Sequence, residues 1–289
     1  MPAIEIIPGL SALAGRYDAL ICDVWGVVHN GRESFPVPCE ALKRFCGEGG
    51  TVVLVSNSPR PKPGFVDQLR LLGVPDEAWS QVVTSGDATR RLLAERAPGP
   101  AWAVGPARDA GLYDGLELDF SETAEDAAFI SCSGLFDDEL ETPEDYRDRF
   151  TLAAGRGLEM ICANPDRVVQ RGDKLIWCAG ALADLYAELG GKVIMAGKPF
   201  APIYALARDA LFEAAGAPVD DKRILVIGDG VPTDVLGAND QGLDCLFILG
   251  GIHAGELTDP SGEPDAARIE AFLTASAAHA RYAMAELVW

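Results

Sequence analysis

Polar side chains with complementary chemistry follow four runs of strand-forming residues in this 289-residue chain. In chain order they are Asp23, Ser56 with Asn57, Lys198, and Asp229 with Asp234. Carboxylate oxygens are the ligands that Mg²⁺ prefers, whereas a lysine beside hydroxyl and amide donors suits a phosphoryl group. An aspartate can also act as a nucleophile and form an aspartyl-phosphate that water later cleaves. If the four stretches converge, they fit metal-assisted phosphoryl transfer.

Each of these groups also has an ordinary structural interpretation. Ser56 and Asn57 are typical turn residues after a strand, and two aspartates such as Asp229 and Asp234 can cap a helix or form a turn. Lys198, which precedes a proline, could be a surface lysine. Because all four stretches occur together, in this order and at strand ends, we favour the chemical interpretation.

Strands alternate with helices on either side of the middle third of the chain. Residues 19–22 and 51–55 form short apolar runs typical of buried strands, and each is followed by an amphipathic stretch that ends at glycine. The order β, α, β, α predicts a parallel sheet, and the same rhythm resumes near residue 192. In such sheets ligands bind beyond the carboxyl ends of the strands, where Asp23 would lie. We therefore predict an α/β fold with a doubly wound parallel sheet.

The middle third reads as a separate α/β insert. Several short strands there end in small or polar residues and are separated by helical stretches. We predict a core domain made of residues 1–83 and 191–289, with an α/β domain of residues 84–190 inserted between its halves.

The charge of the chain restricts its partners. Lys plus Arg number 24 against 44 Asp plus Glu, a formal net charge of −20, which disfavours nucleic acid and anionic membranes. A small phosphorylated substrate remains compatible, because the local field of a pocket can oppose the global one. No apolar run reaches the roughly 18 residues that cross a bilayer. The stretch MPAIEIIPGL lacks the pattern of a signal peptide. We expect a cytoplasmic protein, and a homo-oligomer is compatible with the sequence.

The four motifs, taken in order, resemble those of the haloacid dehalogenase (HAD) superfamily, most closely its subclass IIA phosphatases. The resemblance implies that Asp23 attacks phosphorus, that Ser56 and Asn57 hold phosphoryl oxygens, and that Lys198 steadies the nucleophile and the phosphate. It also implies a Rossmann-like core.

The same resemblance implies a metal site and a cap. Mg²⁺ would be held by Asp23, by Asp229 and Asp234 of the GDGVPTD stretch, and by the main-chain oxygen of Trp25. The insert is similar to the α/β cap of this subclass, whose Asn-Pro-Asp turn corresponds to residues 164–166. Asn164 and Asp166 are therefore candidate substrate residues.

One position departs from the family pattern. Family phosphatases usually read Asp-x-Asp, and the second aspartate protonates the leaving oxygen and then deprotonates the attacking water. Here that position is Trp25, whose indole does neither at neutral pH. Losing a general acid–base typically costs roughly 10²- to 10⁴-fold in rate. His29, four residues further on in the flap that residues 24–31 form after the strand, is the candidate replacement.

Two functional hypotheses follow. The first is a Mg²⁺-dependent phosphatase, a phosphoric monoester hydrolase, that acts through Asp23 on a small phosphorylated metabolite; the resemblance suggests a sugar phosphate or a nucleoside monophosphate. Turnover would be slow, or confined to good leaving groups, unless another group replaces the missing acid. The alternative is a non-catalytic or very slow binder or sensor of phosphorylated ligands. A dehalogenase fits less well, because Lys198 and the acid pair suit Mg²⁺ and phosphate better than a carbon–halogen bond.

Overall fold

The computed structural model describes residues 3–171, 174–250, 254–259 and 261–289. Its strands, in chain order, are β1 (Glu5–Ile6), β2 (Ala19–Asp23), β3 (Thr51–Ser56), β4 (Gln81–Thr84), β5 (Ala101–Val104), β6 (Phe120–Ser121), β7 (Phe129–Cys132), β8 (Glu159–Cys162), β9 (Val168–Arg171), β10 (Lys174–Trp177), β11 (Lys192–Met195), β12 (Ile224–Gly228), β13 (Asp244–Ile248) and β14 (Tyr282–Met284). Its helices are α1 (Pro36–Gly47), α2 (Lys62–Leu71), α3 (Ser85–Ala94), α4 (Arg147–Gly155), α5 (Ala179–Glu188), α6 (Ala201–Ala215), α7 (Leu236–Gln241), α8 (Ala254–Leu257) and α9 (Ala266–Ala275).

The chain divides into two compact units. The first comprises Met1–Ser56, Val66–Val83 and Lys198–Trp289, and the second comprises Asn57–Phe65 and Thr84–Gly197. Neither unit is a continuous segment, so each depends on contacts between residues that are far apart in the sequence.

The first unit is built on a sheet with the strand order β1-β14-β13-β12-β2-β3-β4, and its pairs from β1 to β3 are parallel. From β2 the chain proceeds to β3 and β4 on one side, whereas β12, β13 and β14 lie on the other side. The direction of winding therefore changes between β2 and β12, where Cys22 is opposite Ile227. Ligand sites in doubly wound sheets form at such a switch point, beyond the carboxyl ends of the strands.

The centre of this sheet is apolar because both of its faces are covered. Ala19, Leu20 and Ile21 of β2 are buried, as are all the residues of β12. Parallel strands that are buried on both faces read as continuous apolar runs rather than as alternating ones. The run of β2 ends at Asp23, the first partly exposed residue of the strand.

The second unit contains its own parallel sheet, with the strand order β11-β8-β7-β5-β6, and a separate antiparallel pair formed by β9 and β10. Helices α4 and α5 contribute aromatic side chains to its core, where Phe150 contacts Tyr146, Tyr186 and Trp102 with ring centroids 5.3–6.0 Å apart. This core is formed by residues of the second unit alone.

The structure corrects one predicted boundary. The sequence assigned residues 191–289 to the core domain, but β11 pairs with β8 in the second sheet, with Lys192 opposite Glu159. A short apolar strand does not indicate which sheet it joins, because strand pairing is a long-range choice. The compact second unit therefore ends at Gly197 rather than at residue 190, and it also includes Asn57–Phe65. Its identity as a cap stays a prediction.

The prediction of an α/β fold with a doubly wound parallel sheet is confirmed by the strand order of the first unit. None of the helices in the described ranges combines the length and apolar character that crossing a membrane requires.

Candidate active site

The switch point of the first sheet brings an aspartate and a lysine together across 175 residues of sequence. The Nζ atom of Lys198 lies 2.5 Å from Oδ1 of Asp23 and 2.7 Å from Oδ1 of Asp234. Lys198 is only 3% exposed, so its ammonium group is held by the two carboxylates rather than by bulk water. Buried charges of this kind persist only where they are paired and hydrogen-bonded.

A third carboxylate completes the group. Oxygen atoms of Asp23, Asp229 and Asp234 lie within 4.8 Å of one another. Gly26, in the flap after β2, makes room for this arrangement, because a Cβ atom there would lie 2.1 Å from Oδ2 of Asp229. Its φ of +85° is also a conformation that favours glycine. Convergent carboxylate oxygens are the donor set that hard divalent cations such as Mg²⁺ require, so the site fits this metal.

Hydrogen bonds fix two of the carboxylates. Oδ1 of Asp23 accepts a bond of 2.7 Å from the amide of Val24. Oδ2 of Asp234 accepts bonds from the amide of Gly230 at 3.1 Å and from the hydroxyl of Thr233 at 3.3 Å. The positions of these oxygens are therefore set by the backbone at the ends of β2 and β12.

The electrostatics of the group favour a cation. Within it, three carboxylates face one ammonium group, which leaves two formal negative charges. Burial, reinforced by Asp234, raises the pKa of Asp23 well above its usual range. Burial and Asp234 likewise raise the pKa of Asp229 to about 6. Burial by itself would lower the pKa of Lys198, but the adjacent Asp23 and Asp234 outweigh it and raise that pKa. A bound divalent cation would offset the excess negative charge.

The two residues predicted to bind phosphate belong to different units. Ser56 ends β3 in the first unit, one residue beyond Val55, which is opposite Asp23. Asn57 begins the second unit, where its Nδ2 donates a hydrogen bond of 3.0 Å to Oδ1 of Asp166. Sequence reasoning missed this contact, because nothing in the two motifs indicates that they meet.

The predicted substrate residues Asn164 and Asp166 form one turn of the second unit. The amide of Asp166 donates to Oδ1 of Asn164 at 3.0 Å. Gly197 packs against the same turn, since a Cβ atom there would lie 2.7 Å from Pro165 and 2.5 Å from Oδ1 of Asn57. Asn57, Asn164 and Asp166 are therefore brought together, and their roles toward a substrate stay predictions.

Trp25 lies in the flap and is 49% exposed. The ring of His29 meets it edge-on, with ring centroids 5.6 Å apart and an interplanar angle of 81°. Gly31 lies directly against the indole, because a Cβ atom there would be 2.3 Å from Cη2 of Trp25. The indole is therefore braced by its own flap although Trp25 is half exposed.

His29, the candidate replacement acid, is only 2% exposed. Its Nδ1 accepts a hydrogen bond of 3.0 Å from the amide of Gly31, so the neutral ring carries its proton on Nε2. Nε2 is buried and has no hydrogen-bond partner among the described atoms. Burial lowers the pKa of His29. This environment favours a neutral ring that supports Trp25, and proton transfer by His29 stays a prediction.

Known proteins match the chain along most of its length. A family model of haloacid dehalogenase-like hydrolases matches residues 20–118, and a second HAD-hydrolase-like model matches residues 195–273. The crystal structure of a hydrolase of the haloacid dehalogenase-like family from Brucella suis 1330 is 49% identical, with a TM-score of 0.83, and the match covers 98% of this chain and 100% of that chain.

Two further relatives carry named activities. The 5′-nucleotidase YutF of Bacillus subtilis is 26% identical over 260 residues, which cover 86% of this chain and 93% of the relative. The structure of a glycerol phosphate phosphatase from Mycobacterium tuberculosis in complex with calcium is 25% identical, with a TM-score of 0.64, and the match covers 87% of this chain and 73% of that chain.

The chain therefore belongs to the haloacid dehalogenase-like family, in its subclass IIA. By class it is a phosphoric monoester hydrolase. The sequence-based predictions of the family, the α/β fold and the enzyme class are confirmed.

Proposed function

We propose that the protein is a Mg²⁺-dependent phosphatase that hydrolyses a small phosphorylated metabolite through an aspartyl-phosphate formed on Asp23. The observation that carries this proposal is the buried ion-pair group in which Lys198 lies 2.5 Å from Asp23 and 2.7 Å from Asp234. A phosphatase needs this combination, because an anionic nucleophile must approach an anionic phosphorus. The names of the relatives, a 5′-nucleotidase and a glycerol phosphate phosphatase, support a nucleoside monophosphate or a sugar or polyol phosphate as substrate.

Asp23 begins the reaction. Its Oδ1 is engaged by the amide of Val24 and by Lys198, so we assign the attack on phosphorus to Oδ2. Lys198 restrains the carboxylate in one orientation and offers positive charge to the phosphoryl group. Ser56 and Asn57 are the residues that we assign to the phosphoryl oxygens.

Asp23, Asp229, Asp234 and the main-chain oxygen of Trp25 would hold Mg²⁺. When bound, Mg²⁺ supplies positive charge that offsets the repulsion between the carboxylate and the phosphate. The calcium in a related glycerol phosphate phosphatase supports a divalent cation in this family. The 4.8 Å grouping of carboxylate oxygens supports its location in this chain.

Trp25 affects both steps of the reaction, the formation of the aspartyl-phosphate and its hydrolysis. It provides no proton for the leaving oxygen and no base for the water that cleaves the aspartyl-phosphate. We therefore expect the second half to be slow and the aspartyl-phosphate to accumulate. The second unit is proposed as the cap, with Asn164 and Asp166 toward the substrate. A cytoplasmic location, a homo-oligomer and the absence of nucleic acid and membrane partners stay predictions.

A second function, binding or sensing of a phosphorylated ligand without turnover, is favoured by the same residue, Trp25. Phosphate release from a panel of phosphate esters with Mg²⁺ separates the two. We expect slow release by the wild type and a loss of at least about 10³-fold in Asp23→Asn, because the nucleophile is removed. Asp240→Asn, an exposed aspartate of the same unit, is the matched control and keeps the wild-type rate. Equal release by Asp23→Asn and the wild type contradicts the phosphatase, and binding without release supports the sensor.

A further inference from the structure

The second unit contains a cavity of about 360 Å³. Its wall comes from β5, from residues 122–125 after β6, from the loop after β7 and from α4. The large apolar side chains of the wall are Trp102, Phe136 and Leu152. None of the described residues of this wall is one that we assign to phosphoryl transfer, so the cavity is a separate site.

The apolar part of the wall is fixed in place before any ligand binds. The ring of Trp102 meets Phe150 of the core edge-on, with ring centroids 6.0 Å apart. Phe136 is stacked on Tyr146 at 5.8 Å, and its amide donates a hydrogen bond of 2.7 Å to the hydroxyl of Tyr146. Phe136 and Leu152 are nevertheless each 39% exposed. A ligand that covers this surface removes it from water without having to order it first, which favours binding.

The segment of residues 122–125 is anchored as well. The guanidinium group of Arg156 donates to the main-chain oxygens of Ala124 and Ala127, the second at 2.9 Å. The amide of Thr123 donates to the hydroxyl of Ser121 at 3.3 Å. The carbonyl groups behind this part of the wall are therefore satisfied within the protein, and its exposed acidic side chains remain available to a ligand.

The charged groups of the wall are unbalanced. They are the carboxylates of Glu122, Glu125 and Asp148 and the guanidinium group of Arg149. In the described part of the chain, none of these three carboxylates forms an ion pair or a side-chain hydrogen bond. Three carboxylates against one guanidinium leave two formal negative charges on the wall, and such a surface is complementary to a cation.

Arg149 is itself engaged by the protein. Its guanidinium group lies 4.5 Å from the ring centroid of Tyr146 and 5.5 Å from that of Phe136. Its Nη2 also donates to the main-chain oxygen of Asp145 at 3.3 Å. Arg149 therefore packs against the aromatic rings of the wall and forms no ion pair with the wall carboxylates.

We propose that this cavity binds a small organic cation, an amine or a quaternary ammonium compound with an apolar body. The apolar body covers Phe136 and Leu152, and the positive charge lies beside the three carboxylates. A volume of about 360 Å³ is at the lower end of the range of small-molecule sites, so it suits a molecule with one ring and a short chain. This site goes beyond the phosphatase and does not depend on it.

Two probes of equal shape test the charge preference. They are 4-phenylbutylamine and 4-phenylbutanol, which differ only in an ammonium group against a hydroxyl group, and their binding is measured by ligand-observed NMR titration. Saturating Mg²⁺ is present, so that the carboxylates of the first unit do not compete for the amine. We expect the amine to bind about fivefold more tightly than the alcohol. Equal affinity of the two probes, or no binding of the amine, overturns the proposal.

Removal of the three carboxylates locates the binding. In the triple variant Glu122→Gln/Glu125→Gln/Asp148→Asn only Arg149 remains charged, so the affinity ratio of amine to alcohol should fall to about one. The matched control is Glu48→Gln/Glu77→Gln/Glu213→Gln, which changes the net charge equally at three exposed acids of the first unit. It should keep the fivefold ratio. A triple variant of the cavity that keeps the wild-type ratio contradicts the proposed site.

Truncation of the apolar wall tests the seat of the ring. Leu152→Ala should weaken both probes by about threefold and leave their ratio unchanged, because it removes apolar contact and no charge. Leu140→Ala, an exposed leucine of the same unit outside the wall, should change neither affinity. A second cavity, in the first unit, is lined by Trp25, Asp229 and Phe272. Loss of amine binding in Phe272→Ala, with full binding in Leu152→Ala, would place the probe there and overturn the proposal.

Discussion

The two parallel sheets of this protein obey the same topological rule and differ in what they hold. In the first sheet the winding direction changes between β2 and β12, and in the second it changes between β5 and β7. At the second switch point the hydroxyl of Ser133 packs onto Gly105, where a Cβ atom would lie 2.0 Å away. The amide of Ser133 also donates to the carbonyl of Val104 at 2.8 Å. Backbone and a hydroxyl group therefore lie at these strand ends, with the carboxylate of Asp109 beside them, whereas three carboxylates converge in the first sheet.

The charge balance of the two switch points differs as well. Burial raises the pKa of Asp109 in the second unit, but a hydrogen bond from Ser133 and the nearby Arg108 and Arg60 oppose that effect. Arg108 in turn forms an ion pair with Asp138. In the first unit, Lys198 forms ion pairs with Asp23 and Asp234, and Asp229 adds a third carboxylate to the group. An excess of buried negative charge, rather than the switch point itself, therefore indicates a cation-binding and catalytic site.

The largest effect is expected from removing the ammonium group in Lys198→Met. The carboxylates of Asp23 and Asp234 then remain buried without their partner, which lowers the free energy of unfolding by about 3–5 kcal/mol in the metal-free protein. Phosphate release falls by about 10²- to 10³-fold. Chemical denaturation and the release assay measure these changes, with the exposed Lys222→Met as control. An unchanged denaturation midpoint would show that the two switch points do not differ in buried charge.

A smaller effect is expected from pH on metal binding. Because burial and Asp234 raise the pKa of Asp229 to about 6, protons compete with Mg²⁺ at the first switch point below that pH. Calorimetry should show Mg²⁺ affinity that rises with pH, with a loss of about tenfold at pH 5, and the raised pKa of Asp23 makes the rise continue above pH 6.

The same raised pKa fixes the sign of its effect on stability. Asp229 binds a proton more tightly in the folded protein than in the unfolded chain, so its contribution to metal-free stability decreases as pH rises from about 4 to 6. Saturating Mg²⁺ should reverse this decrease. Asp229→Asn should bind Mg²⁺ weakly at every pH, and tight binding by that variant contradicts the assignment of Asp229 to the metal.

The smallest effect is expected in the second unit. Asp166→Ala removes the hydrogen bond that Asn57 donates to it, which weakens the restraint on the Asn57 amide. The loss of one such bond corresponds to about 1 kcal/mol, or roughly fivefold in KM, while Mg²⁺ affinity stays unchanged. Asp166→Asn keeps an acceptor oxygen and should retain most of the wild-type KM. A change in Mg²⁺ affinity in Asp166→Ala would contradict the assignment of metal binding to residues of the first unit.

Much of the first switch point could be predicted from the sequence. Asp23 follows an apolar run, and Asp229 follows another, so a parallel sheet must bring the two strand ends to one edge. The sequence also placed Lys198 after a run of strand-forming residues, and the resemblance implied its role toward Asp23. The structure brings it against Asp23 although the two residues are 175 positions apart in the sequence.

The features of the fold and of the site that the sequence did not predict depend on tertiary packing. The strand β11 gave no sign of which sheet it would join, because apolar strand residues suit either one. The contact between Asn57 and Asp166 joins two motifs that each read as an independent turn.

Chemical trapping of the intermediate tests whether the reaction passes through an aspartyl-phosphate on Asp23. Wild-type protein with Mg²⁺ and phenyl phosphate is quenched during turnover and treated with borohydride, which reduces an acyl phosphate to an alcohol, and its peptides are analysed by mass spectrometry. Because Trp25 offers no base to activate water, the aspartyl-phosphate should accumulate and residue 23 should be the one reduced. Reduction at another carboxylate, or phosphate release without reduction at residue 23, would contradict nucleophilic attack by Asp23.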